Sequence, residues 1–141
     1  MKISLDRIDD DFLFEAKNEK GNTVLIDNKN REDGNVKGAS PMELLLMGIA
    51  GCSGIDIVSI LKKQKQKISK YHVEVDADRE QDKVPALFTH AHVKVYLEGE
   101  IDPPKALRAA ALSFDVYCSV SKTLEKAMKI TYEVHLNGNK L

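Results

Sequence analysis

The sequence predicts an α+β fold in one domain, residues 1–141. Three observations carry this. Both ends of the chain alternate apolar and polar residues with the two-residue period of strands. A single long apolar helix interrupts them after an unusually explicit start signal. Two shorter helical segments then stand between the last strands, and strands, helix, strands, helices, strand is an α+β order.

Taken in order, "KISLDRI" sets Ile3, Leu5 and Arg7 against Lys2, Ser4 and Asp6. "DFLFEAK" and "TVLID" flank "NEKGN", a hairpin turn signal. "NKNREDGNVKGAS", Asn28 to Ser40, is polar and glycine-bearing and reads as a surface loop without chemistry of its own. At "SPME" Ser40 suits the N-cap, Pro41 the first helical position, and Glu43 completes a capping box. The helix is expected to end near Lys62 or Lys63, where "KKQKQK" puts positive charge at its negative end. From Leu44 to Leu61 it is apolar or small nearly all round, without the polar stripe of a surface helix. Such a helix is covered on most sides, which one chain of this size would not manage alone, so an intimate homodimer is expected. Gly48, Gly51 and Gly54 make a small-residue band along it, where another element comes close.

Strands resume at "YHVEVDADRE", with Tyr71, Val73, Val75 and Ala77 on one face. After a turn at "QDKVP", "FTHAHVKVYLEG" aligns Ala91, Val93, Val95 and Leu97. These describe a sheet with one covered face. "DPPKALRAAALSF" starts a helix at its prolines, "CSVSKTLEKAM" a third with Cys118 at or before its first turn, and "KITYEVHL" closes as a strand.

The composition excludes several function classes. With 43% hydrophobic and 30% charged residues and a net charge of −1, the protein is globular and has no electrostatic case for nucleic acid. Only 12 uncharged residues separate Glu43 from Asp56, too few to cross a bilayer. No secretory leader pattern follows Met1. A cytoplasmic protein is expected, without membrane or nucleic-acid partners. In a reducing compartment the two cysteines, 66 positions apart, are inert thiols or a transient redox pair.

Cys118 has the better local case for reactivity, since a starting helix offers free N–H groups to a thiolate. Cys52 lies mid-helix, so its activation must come from residues distant in sequence or from another subunit. "AGCSGID" is not a nucleophile elbow, because the Gly-x-nucleophile-x-Gly pattern and the strand-to-helix turn are both missing. Glu43 falls on the opposite side of the helix from Cys52 at about 100° per residue. Asp56 falls one turn beyond Cys52 on the same face, where a carboxylate raises a thiol's pKa. His90 and His92 share a strand face, with His72 on a neighbouring strand, but neither cysteine has metal-type spacing to them. No metal and no cofactor are expected.

"SPMELLLMGIAGCSGIDIV", "LFTHAHVKVYLEG" and "YCSVSKTLEKA" together resemble the OsmC/Ohr family over nearly the whole chain. The resemblance implies an α+β fold in which antiparallel sheet wraps long central helices in an intertwined homodimer. It implies thiol-dependent reduction of organic hydroperoxides in oxidative or osmotic stress. Cys52 would be the peroxidatic thiol and Cys118 the resolving one, and a small dithiol such as lipoyl would reduce their disulfide. The family places a glutamate directly after the helix-opening proline, where this chain has Met42 with Glu43 one residue later. An activating arginine belongs near the N-terminal hairpin, where this chain offers Lys17 and Lys20. The alternative is a non-enzymatic member that binds a hydrophobic or thiol-bearing small molecule in a crevice beside Cys52.

Overall fold

The computed structural model describes residues 1–141, which form two compact units, Met1–Leu45 and Leu46–Leu141. The first unit is an antiparallel meander of β1 (Ile3–Arg7), β2 (Phe14–Asn18) and β3 (Thr23–Ile26). Ile3 pairs with Asn18 and Phe14 with Ile26. Gly21 takes a φ of 84° in the β2–β3 turn, a left-handed conformation that glycine adopts without steric cost. The loop that follows then runs back beside β3. The Asp27 N–H donates to Ala39 O at 3.0 Å, and a Cβ on Gly38 would lie 2.7 Å from the Leu25 carbonyl carbon, so only glycine permits this approach.

That loop does more than its composition indicated. Arg31 is 8% exposed and Asp27 2%. The guanidinium reaches Asp9 at 2.8 Å, Asp27 at 3.2 Å and Asp33 at 3.0 Å. Asp27 also accepts the Lys37 N–H at 2.9 Å. The expectation of an idle surface loop is therefore corrected: a buried guanidinium needs its charge answered, and three carboxylates in the loop and β1–β2 turn answer it.

The capping box forms as read. Ser40 N–H donates to Glu43 Oε2 at 2.7 Å, and Glu43 N–H to Ser40 Oγ at 3.3 Å. It opens α1 (Pro41–Lys63), 23 residues ending on Lys62 and Lys63.

The second unit carries a sheet in the order β4 (Lys67–Arg79), β5 (Phe88–Glu100), β6 (Lys129–Leu136), β7 (Asn139–Lys140). β4 and β5 pair antiparallel over their length, with Val73 opposite Val95 and Val75 opposite Val93. β5 and β6 are parallel, which amends the all-antiparallel sheet expected. A parallel neighbour requires a crossover, and here α2 (Pro103–Leu112), a π-helical turn (Ser113–Tyr117) and α3 (Ser119–Leu124) supply it. Ala91, Val93, Val95 and Leu97 of β5 are buried with Val134 and Leu136 of β6. They form one core with Ala106, Ala109, Ala110 and Phe114 from the crossover and Ile49, Ile57 and Leu61 from α1.

Within the chain, α1 buries a single stripe, Ile49, Ser53, Ile57 and Leu61, at four-residue steps. Its other side is open: Met47 is 55% exposed and Ile55 74%. The chain does not cover this helix on most sides by itself. Its most apolar 18-residue window has a mean hydropathy of 2.1, a length and composition that a membrane span and the core helix of a soluble protein share. Two of the three glycines explain their place. At Gly54 a Cβ would lie 3.3 Å from the Tyr71 ring, and at Gly48 3.4 Å from Val120, whereas nothing lies within 4 Å at Gly51.

Candidate functional site: a thiol pair at the start of a short helix

The site is assembled from the part of α1 beyond Leu45 and the end of the crossover, both in the second unit. Cys52 is half-buried and Cys118 fully buried, and both are free thiols. The sulfurs of Cys52 and Cys118 and a carboxylate oxygen of Asp56 all lie within 4.8 Å of one another. The structure thus brings together both sequence-identified cysteines, with Asp56 on the Cys52 face as its four-residue spacing requires.

Cys118 is the N-cap of α3: its sulfur accepts the Ser121 N–H at 3.4 Å and lies 3.1 Å from Ser121 Oγ. The position is the one read from sequence, but the consequence is reversed. Burial pushes the Cys118 thiol up, the Ser121 hydroxyl and N–H pull it partly down, and the neighbouring Cys52 pushes it up again, so it lies above the ordinary thiol value. Cys52 receives the activation instead. Burial pushes its thiol up, but the Val120 backbone N–H, the Cys118 side chain and the Ser119 hydroxyl outweigh that. Ser119 Oγ is 3.9 Å from the sulfur. Asp56 opposes the shift, as a carboxylate must. The net result is a Cys52 thiol below its ordinary value beside a Cys118 thiol above it.

Three hydroxyls around the pair escaped sequence reasoning. Ser119 faces Cys52, Ser121 faces Cys118, and the buried Ser113 donates to Asp56 Oδ2 at 3.2 Å. The only signal in the chain was "CSVS", which alternates hydroxyls beside a cysteine at a helix start. Tyr71 closes the far side against Gly54. Its buried Oη has no hydrogen-bond partner, and burial pushes the phenol up to about 12.

Of the other residues weighed, Glu43 is engaged in the capping box, whose Ser40 N–H and hydroxyl hold its carboxyl below the usual range. Lys17 pairs with Glu15 at 3.8 Å on β2. His72, His90 and His92 lie on the outer face of the sheet, joined there by His135. His90 and His92 both contact Thr131 Oγ1, at 2.7 and 2.8 Å, and Glu133 bridges His92 and His135. A shallow 260 Å³ depression on that face is lined by Lys70, His72, Glu74, Tyr96 and Glu98.

Chemically, a half-exposed thiol held toward thiolate, next to a buried thiol held protonated, is a donor set for thiol–disulfide chemistry. Comparison with known proteins finds relatives over most of the chain. Residues 33–133 match the family described as OsmC-like protein. The chain is 38% identical over 124 residues to protein YhfA of Escherichia coli (strain K12), covering 86% of this chain and 89% of that protein. A hypothetical protein from Aquifex aeolicus VF5 superposes with TM-score 0.79 at 28% identity, covering 96% of each chain. The organic hydroperoxide resistance protein OhrB of Bacillus subtilis shares the fold, with TM-score 0.64 at 18% identity and coverage of 95% of this chain and 96% of that one.

Proposed function

Since the chain belongs to the OsmC family, we propose that it reduces organic hydroperoxides with Cys52 as the attacking thiol and Cys118 as the resolving one. The observation that carries this reading is the meeting of two free thiols whose sulfurs lie within 4.8 Å of each other, with Cys52 half-exposed and Cys118 buried beneath it. The Cys52 thiolate attacks the outer peroxide oxygen. The O–O bond breaks, the alkoxide leaves and takes a proton to become the alcohol, and Cys52 becomes a sulfenic acid. The Cys118 sulfur, once deprotonated, attacks the Cys52 sulfur, expelling hydroxide that leaves as water, and a disulfide forms. A small dithiol then restores both thiols by exchange, itself becoming the disulfide.

In this reading the Val120 N–H, Ser119 and Cys118 do for Cys52 what Met42 and the engaged Lys17 do not. The working unit is a homodimer in which a second copy covers the open side of α1, and the protein acts in the cytoplasm under oxidative stress. The test is intact mass and free-thiol counting on reduced protein with one equivalent of cumene hydroperoxide. Wild type is expected to lose both thiols and two hydrogens, and Cys118→Ser to stop at a sulfenic acid on Cys52. Persistence of both thiols in peroxide excess would end the peroxidase reading. It would leave a non-enzymatic binder of small hydrophobic or thiol-bearing molecules.

A further inference from the structure

We propose that Cys52, Cys118 and Asp56 also form a binding site for a thiophilic divalent cation of the zinc type, occupied in the reduced protein and abolished by its oxidation. The proposal does not depend on reaction with peroxide; it needs only the two thiols reduced.

Three potential ligand atoms, two sulfurs and one carboxylate oxygen, lie within 4.8 Å of one another. Tetrahedral zinc with bonds of about 2.3 Å to sulfur and about 2.0–2.2 Å to oxygen spaces its ligands by roughly 3.6–3.8 Å. Closing by at most about 1.2 Å, within reach of side-chain rotation, completes that geometry. Every ligand has an outer hydroxyl: Ser119 on Cys52, Ser121 on Cys118 and Ser113 on Asp56. Such outer partners orient metal ligands and typically change affinity 10–100-fold. Cys118 closes the inner side, and half-exposed Cys52 leaves the fourth position open toward solvent, the pattern of a three-ligand zinc site.

Asp56 is the observation that thiol chemistry alone does not explain. It makes no ion pair, and its one side-chain hydrogen bond is the neutral Ser113 hydroxyl. A cation takes all three ligands at once, and with both thiols deprotonated on binding the two thiolates and the carboxylate carry −3 against its +2. Binding is not a redox step: each thiol gives up its proton to solvent, two per ion, and both sulfurs stay reduced. Disulfide formation consumes both sulfur ligands, so the ion and the disulfide exclude each other. Bound zinc holds the pair reduced and unreactive, and oxidation releases it.

The test uses whole protein, reduced and metal-free, titrated anaerobically with Zn²⁺ against a chromophoric chelator, and in parallel with Co²⁺. The expected result is one ion per chain with release of two protons. Co²⁺ should show a thiolate charge-transfer band and the intense d–d bands of a four-coordinate ion. Asp56→Asn should lower affinity at least tenfold. Cys52→Ser and Cys118→Ser should each lose the charge-transfer intensity of one sulfur. Wild type oxidised by diamide to the disulfide should bind nothing at this site, a control that involves no substitution. Absence of one-to-one binding, a Co²⁺ spectrum without thiolate character, or full affinity in Asp56→Asn or in the disulfide form would overturn the proposal. Peroxide oxidation of the same metal-free sample is scored separately, so zinc binding with inert thiols would defeat only the peroxidase reading.

Discussion

Replacing Tyr71 by phenylalanine is expected to stabilise the protein, against the usual direction of core substitutions. The Tyr71 Oη is buried without a hydrogen-bond partner. The Ser53 hydroxyl donates to Ile49 O at 2.7 Å and is near enough to pull the phenol slightly down, but it makes no hydrogen bond with Tyr71 Oη. A buried polar group left unpaired costs about 1–3 kcal/mol. The ring itself must stay, because its Cε1 and Cζ stand 3.3 and 3.5 Å from where a Gly54 Cβ would lie, and phenylalanine keeps both of these and loses only the hydroxyl oxygen. The gain should therefore be near the lower end of that range, about 1 kcal/mol, or roughly 2–4 °C in Tm for a chain of this size. Urea denaturation of both proteins, fully reduced and followed by far-ultraviolet circular dichroism, measures it. A loss of about 1 kcal/mol or more would refute the reasoning, because it would mean that the phenol is bonded in solution, with Ser53 turning to meet it.

Three further outcomes follow from the same structure. Alkylation of Cys52 by iodoacetamide should rise with pH with a midpoint below the ordinary thiol value of 9.0; a midpoint above it would remove the basis for assigning Cys52 the attacking role. Glu133 is held down to about 2 from 4.5, first by the Lys140 ammonium 2.6 Å away and then by His135. A depressed carboxyl stabilises the fold above its unfolded value and loses that contribution as pH falls through its folded one, so Glu133→Gln should flatten the acid loss of stability between about pH 4.5 and 2, read by denaturation at stepped pH. Gly51→Leu adds a side chain where nothing lies within 4 Å of the glycine in the chain itself. It should leave circular dichroism unchanged but, if the wild type sediments as the proposed dimer, shift it to monomer; a wild-type monomer, or a dimer undisturbed by the substitution, would refute packing of a second copy on this face.

Local patterns were legible in the sequence. The capping box at Ser40 and Glu43, the inward faces of β4, β5 and β6, the placing of Cys118 at a helix start and the sharing of a face by Cys52 and Asp56 each depend on residues within a turn or two. Backbone geometry imposes those relations whatever surrounds them. The resemblance carried by the helix and second-cysteine segments led to the family, which the comparisons then showed.

What only the tertiary structure decided involves partners far apart in the chain. A parallel β5–β6 pairing swings α3 across α1, and that one arrangement delivers the Val120 N–H and Ser119 to Cys52. The free N–H groups near Cys118 thus serve a sulfur 66 positions away, while Cys118 itself is buried and pays the desolvation. Arg31 looked like loop polarity until Asp9, Asp27 and Asp33 closed on it. Sequence determines which groups are able to ionise or donate. Which of them meet, and how much water each keeps, is decided by folding, and thiol reactivity depends on both.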